Sequence, residues 1–255
     1  MFRYSPDARV AVYVDFENLV HGAGAGLPGQ SEPIPAAALT QLCRGFYGNA
    51  SIRRAYADWA SPIFGRYQPA LVDNGVDLIQ ITRTARGKNA ADIRMAVDAM
   101  EVLITHPDIE VFILVTGDSD YSPLVHRLRE FGKHVVGVGT EASASQRLVA
   151  VCSEYKFWGT IVADVDPATR PAVTAVFDLA DAERLVIQAI SQSRVEAPTA
   201  SAVKNRMLAL DPSFDEANYG CASFRAFLAR LSHLVRIEER AGFDVTVSLI
   251  DSPPT

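Results

Sequence analysis

The sequence predicts an α/β protein, a mostly parallel sheet flanked by helices, with a small winged-helix-like module behind it. Three observations lead there. Apolar runs of strand length alternate with helical patterns from residue 10 to residue 162, so a repeating β-α unit is expected. The runs are continuously apolar, as in strands covered on both faces. Beyond residue 177 the pattern changes to three short helices and a hairpin. The chain has 255 residues, 49% hydrophobic and 21% charged, enough for one large domain or two ordinary ones with a real core.

Residues 10–14 form the first expected strand, which ends at Asp15. Residues 35–47 are helical, with Pro35 suited to the first turn, and residues 51–57 are a second strand. A helix over 62–73 is stopped by Asn74-Gly75 and followed by a strand over 76–81. The helical pattern over 89–105 places Ile93, Val97, Met100, Ala96 and Ile104 on one face, which is expected to meet the core. It hands over to a strand at Val111. Ser122 and Pro123 have the character of an N-cap and first helical residue, and Gly132 closes that helix before a strand over 135–138. A helix over 144–152 and an apolar segment over 157–162 complete the sheet domain. Residues 1–163 are thus one domain, 164–177, with Pro167, Thr169 and Pro171, a linker, and 178–255 a second domain. In the latter, helices are expected over 181–192, 199–210 and 223–234, then a hairpin of 235–237 and 245–249 around Ala241-Gly242.

The longest apolar stretches are of strand length, and no apolar region follows a basic start. A membrane span and a secretory signal are therefore not expected, and the expected location is cytoplasmic. Cys43, Cys152 and Cys221 lack zinc spacing and are expected to be buried free thiols. A net charge of −6 argues against strong indiscriminate nucleic-acid binding and leaves room only for a local basic surface.

The chemistry concentrates at strand ends. The run 111–115 delivers Thr116-Gly117-Asp118-Ser119-Asp120 to the point where the chain leaves the sheet, and the first strand does the same with Asp15-Phe16-Glu17-Asn18. If these strands are neighbours at the switch point of a doubly wound sheet, Asp15 faces Asp118 and Asp120. Asp92, near the start of the helix feeding the fourth strand, is the fourth acid, and Asn18 adds a neutral donor and acceptor. Such an all-oxygen set selects Mg²⁺ or Mn²⁺, ions that activate water and offset phosphoryl charge. Competing roles stand beside this one. Asp118 and Asp120 can cap the next helix, although Ser122-Pro123 fill that role. Asp92 at N3 behind an Asn89 cap stabilises a helix start in its own right. Asp98, one turn after Arg94, fits an ordinary ion pair and is kept as a residue supporting the site from behind. Glu17 is expected to face solvent.

Arg83, Arg86 and Lys88 precede Asp92 and are expected phosphate contacts. His21 and the glycines at 22, 24 and 26 form an expected mobile loop without a nucleotide fingerprint. His126 and His134 are expected to be structural.

Three blocks resemble the signature of NYN domains, which belong to the PIN-like nuclease superfamily, in its bacterial LabA-like (DUF88) branch. They are Val14-Asp15-Phe16-Glu17-Asn18-Leu19; Lys88 with Ala91-Asp92-Ile93 and Ala96-Val97-Asp98; and Leu114-Val115-Thr116-Gly117-Asp118-Ser119-Asp120-Tyr121 with Pro123-Leu124. The resemblance implies a PIN-like sheet, a divalent-metal site and ribonuclease activity, with Asp15, Asn18, Asp92, Asp118 and Asp120 matching the acidic site. The C-terminal part resembles an OST-HTH (LOTUS) domain through Leu185-Val186-Ile187, Leu210-Asp211-Pro212-Ser213-Phe214 and Tyr219-Gly220-Cys221-Ala222-Ser223-Phe224 onwards. That implies RNA binding or docking to a protein partner, with Lys204, Arg206, Arg225 and Arg230 as phosphate contacts. Yet residues 180–255 hold eight Lys/Arg against ten Asp/Glu. The leading expectation is a metal-dependent ribonuclease acting on RNA. The alternatives are a non-catalytic RNA-binding scaffold with an acidic pocket, and a metal-dependent phosphatase of small molecules. Oligomeric state is not legible.

Overall fold

The computed structural model describes residues 8–23, 34–44, 49–82, 90–165, 177–195, 197–238 and 245–250. The chain divides into two compact units, parting between residues 173 and 174. Residues 166–176, inside the expected linker, lie outside the described residues.

The N-terminal unit runs β1 (Arg9–Asp15), α1 (Phe16–Gly22), α2 (Ala36–Arg44), β2 (Asn49–Ala57), α3 (Pro62–Gly65), α4 (Gln68–Asp73), β3 (Asp77–Gln80), α5 (Ala90–Thr105), β4 (Ile109–Val115), α6 (Ser122–Glu130), β5 (His134–Gly139), α7 (Gln146–Val151), β6 (Glu154–Phe157) and α8 (Trp158–Val165). Its six strands are all parallel in the order β3-β2-β1-β4-β5-β6. The chain therefore builds one half of the sheet outward from β1 and the other outward from β4. Both central strands end at the crevice where the direction reverses. Val10, Val12 and Val14 of β1 pack on one face with Leu39, Phe64, Leu71 and Trp158, whereas Ala11 and Tyr13 pack on the other with Met95, Ala99, Val125 and Leu128. Strand alternation gives Asp15 the parity of Tyr13, so its carboxylate leaves β1 on the α5/α6 side.

Four expectations are corrected. The helix over 62–73 is two short helices, because Pro69 has no N–H for the Gly65 carbonyl and its ring crowds that carbonyl. Ser122 is the first residue of α6, not its cap. A 3-10 turn (Ser119–Tyr121) precedes it, with Asp118 as N-cap. His21 and Gly22 close α1, where Gly22 approaches so near that a Cβ would lie 2.5 Å from Thr140 Oγ1. On α5 the expected core face is the outer one. Ile93, Val97 and Ile104 are exposed, and Met95, Ala99, Val102 and Leu103 are buried with Asp98. Asp98 is tolerated there because Tyr56 Oη donates to Oδ2 at 2.9 Å and Arg94 Nε to Oδ1 at 2.9 Å.

The C-terminal unit runs α9 (Leu179–Ser191), α10 (Ala200–Leu210), a 3-10 turn (Glu216–Tyr219), α11 (Phe224–Arg230), β7 (Val235–Glu238) and β8 (Thr246–Leu249). The two strands pair antiparallel. Asp178, Thr199 and Ser223 cap the three helices by accepting from Ala180 N, Ala202 N and Ala226 N. Val186, Val203, Met207, Phe227, Leu228, Leu231 and Val247 form its core. The helix expected to run to 234 ends at Arg230, and Leu234 N instead closes a turn on Leu231 O. The hairpin tip around Ala241-Gly242 lies outside the described residues.

Candidate active site

Asp15 closes β1 and caps α1. Asn18 N donates to Oδ1 at 3.0 Å, and Tyr121 Oη donates to Oδ2 at 3.3 Å. Burial pushes its carboxyl up to about 7; the Asn18 N–H opposes this and the charge of Asp92 adds to it. Asp92, in the first turn of α5, is half-buried, and its carboxyl is also raised by burial. Tyr121 hydrogen-bonds Asp92 as well and holds that shift down, while the charges of Asp118 and Asp120 push it further up. The Tyr121 phenol thus stands between acids from β1 and α5, and its own ionisation lies well above the ordinary range, through burial first and then those two carboxylates.

Asp118 and Asp120 come from the turn after β4. Asp118 N donates to Thr116 Oγ1 at 3.2 Å, and Asp120 N to Asp118 Oδ1 at 2.9 Å. Asn18 ties this turn to α1 by accepting from Gly117 N at 2.9 Å. Gly117 is required for packing, because a Cβ there would lie 2.1 Å from Ser143 O.

The five expected residues, Asp15, Asn18, Asp92, Asp118 and Asp120, therefore meet at the switch point, linked by hydrogen bonds or mutual charge. Asp98 does not face them; it locks α5 to the sheet through Tyr56 and Arg94. Glu17 is not simply solvent-facing, since it accepts from Asp58 N at 2.9 Å. Tyr121 went unassigned in the sequence, where its place in an otherwise ordinary helix-entry turn carries no local signal of this role. Arg83, Arg86 and Lys88 lie outside the described residues, as does Asn89.

All four acids offer hard oxygen donors, a chemistry that fits Mg²⁺ or Mn²⁺, and a cation bound there would offset the cost that raises the carboxyls of Asp15 and Asp92. The cage is not closed: among the described residues no three His, Cys, Asp or Glu side chains are grouped tightly enough to hold an ion.

Elsewhere, Lys204 pairs with Glu216 at 2.7 Å and Arg230 donates to Tyr219 O at 2.6 Å; Arg206, Arg225 and Arg230 all lie at the surface. Cys152 is a buried free thiol and Cys221 a half-buried one; the side chain of Cys43 lies outside the described residues. His134 is buried with Glu154 Oε1 at 2.9 Å, while His126 is exposed on α6. No described helix is long and apolar enough to cross a membrane.

Fold and site together define an α/β protein with a cluster of acids at the carboxyl ends of its two central strands. The NYN domain model matches residues 9–159, so the chain belongs to the NYN domain family; an OST-HTH/LOTUS domain model matches residues 183–245. The uncharacterized protein MJ0482 of Methanocaldococcus jannaschii is 40% identical over 57 residues, which span 22% of this chain and 23% of that protein. A crystal structure of a protein of unknown function, VPA0982 from Vibrio parahaemolyticus, is 21% identical, with a TM-score of 0.49 over 61% of this chain and 96% of that one. NYN domains are a nuclease family of PIN-like fold, and OST-HTH/LOTUS domains are associated with RNA binding.

Proposed function

We propose that the chain is a divalent-metal-dependent ribonuclease that hydrolyses RNA phosphodiesters, with its C-terminal module recruiting RNA. The observation that carries this reading is the convergence of Asp15 and Asp92 on Tyr121, beside Asp118 and Asp120, at the sheet's switch point. Asp15, Asp92, Asp118 and Asp120 would hold Mg²⁺ or Mn²⁺, which supplies an activated water and offsets charge on the scissile phosphate. The protein's own groups position these donors. Tyr121 fixes the spacing of Asp15 and Asp92, and Asn18 fixes the β4 turn against α1 through Gly117. Arg83, Arg86 and Lys88, next to Asp92 in sequence, suit the RNA backbone, as do the exposed Arg206 and Arg225 of the C-terminal unit.

The test is cleavage of single-stranded RNA by the purified chain with Mn²⁺. Asp118→Asn keeps an acceptor for Asp120 N and is expected to lower the rate by about a hundredfold or more. Wild-type protein that binds RNA without forming product would sink the reading in favour of a scaffold. Turnover of a small phosphoester but not of polynucleotide would point to a phosphatase instead.

A further inference from the structure

Helix α5 is apolar on both sides. Its inner face, Met95, Ala99, Val102 and Leu103, packs on the sheet. Its outer face carries Ile93, Val97 and Ile104, which are 65%, 59% and 71% exposed, with the half-buried Met100 between them. A helix that is apolar all round is ordinarily covered on every side. The outer positions 93, 97, 100 and 104 follow steps of four, three and four, the spacing of a coiled-coil seam. One edge of this stripe carries Arg94 and Glu101, seven residues apart and both exposed; Arg94 engages Asp98 through Nε.

That charge placement selects a partner and a direction. In an antiparallel pairing of α5 with itself, Ile93 meets Ile104 of the other copy and Val97 meets Met100. Arg94 then falls beside Glu101 of the other copy, twice over by symmetry. A parallel pairing sets Glu101 beside Ala96 and leaves both charges without partners. We propose that this outer face of α5 is a homodimer interface in which the helix packs antiparallel against α5 of a second copy of the chain. The interface is independent of whether the acidic pocket turns over.

Light scattering and sedimentation of the full chain test it. The expected wild-type species has twice the 27.7 kDa chain mass and dissociates on dilution. Val97→Glu, on a solvent-facing side chain, is expected to yield monomers with unchanged circular dichroism and a melting temperature that no longer depends on protein concentration. Glu101→Arg sets like charges against Arg94 and is expected to weaken the dimer by about fivefold or more, and more so at low salt. Direction is read by oxidative cross-linking. A mixture of Ile93→Cys and Ile104→Cys proteins should link to each other faster than either links to itself. A wild-type monomer at all concentrations, a dimer indifferent to Val97→Glu, or preferential self-linking of Ile93→Cys would each overturn the proposal.

Discussion

Asp15 shows how a single side chain ties stability to the pocket's chemistry. Its carboxyl rises to about 7 in the folded protein, chiefly through burial. An acid so raised binds its proton more tightly folded than unfolded. Folding stability therefore falls as pH climbs from about 4 through 7, and above that the penalty is complete. Asp15→Asn removes the charge and keeps one acceptor oxygen, for Asn18 N, with its amide NH2 turned to the Tyr121 oxygen. In metal-free buffer at pH 8 it is expected to be more stable than wild type by roughly 2–4 kcal/mol, a gain that vanishes near pH 4 in thermal melts. Added Mn²⁺ should raise the melting temperature of the wild type far more than that of the variant. Tyr121→Phe removes the phenol shared by Asp15 and Asp92. We expect it to fold but to need about tenfold more Mn²⁺ to reach half its thermal shift. The acids themselves were legible in the sequence, because carboxylates ending apolar strands have few other reasons to be there. The phenol was not, since nothing local distinguishes a bridging tyrosine from a core one. Asp118 was named, but it also caps a turn, so weighing capping against function set up a choice that the fold does not make.

At the scale of elements, most of the order and type followed from periodicity, while α1 and β6 went unexpected and facing did not follow. Helix α5 has apolar residues at 93, 97, 100 and 104 and again at 95, 99, 102 and 103, so hydrophobic pattern alone supports either face. The deciding contact is polar: Asp98 points inward because Tyr56 and Arg94 satisfy it. Asp98→Ala leaves the buried Tyr56 hydroxyl unpaired and is expected to cost roughly 2–4 kcal/mol in denaturant melts. The turn after β4 is just as constrained. Gly117→Ala drives a methyl group toward Ser143 O, 2.1 Å from the ideal Cβ position. The turn must then shift away from Asn18, and a loss of roughly 1–3 kcal/mol together with weaker Mn²⁺ binding is expected. The break between α3 and α4 was in principle readable from Pro69, whose missing donor the longer helix required.

For the whole molecule, the two units have separate cores, and damage to one should remain local. Phe227 is fully buried in the C-terminal core; Phe227→Ala is expected to cost that unit roughly 3–5 kcal/mol. Hydrogen exchange should show lost protection in α9–α11 with β1 and β4 unchanged. The doubly wound order was legible from the alternation of strands and helices, and the switch point from the acids at two strand ends. The adjacency of β1 and β4 has a further consequence, one of timing. Val14 pairs with Val115, about a hundred residues away, and every group of the pocket hangs on that pairing. Closing so long a loop is entropically slow, and on the ribosome it waits until β4 has been synthesised. The acid of β1, Asp15, is therefore made early yet stays apart from the others until the sheet's two halves join. A partly made chain carries the acids without their arrangement, and the chemistry proposed for them would begin only when folding is nearly done.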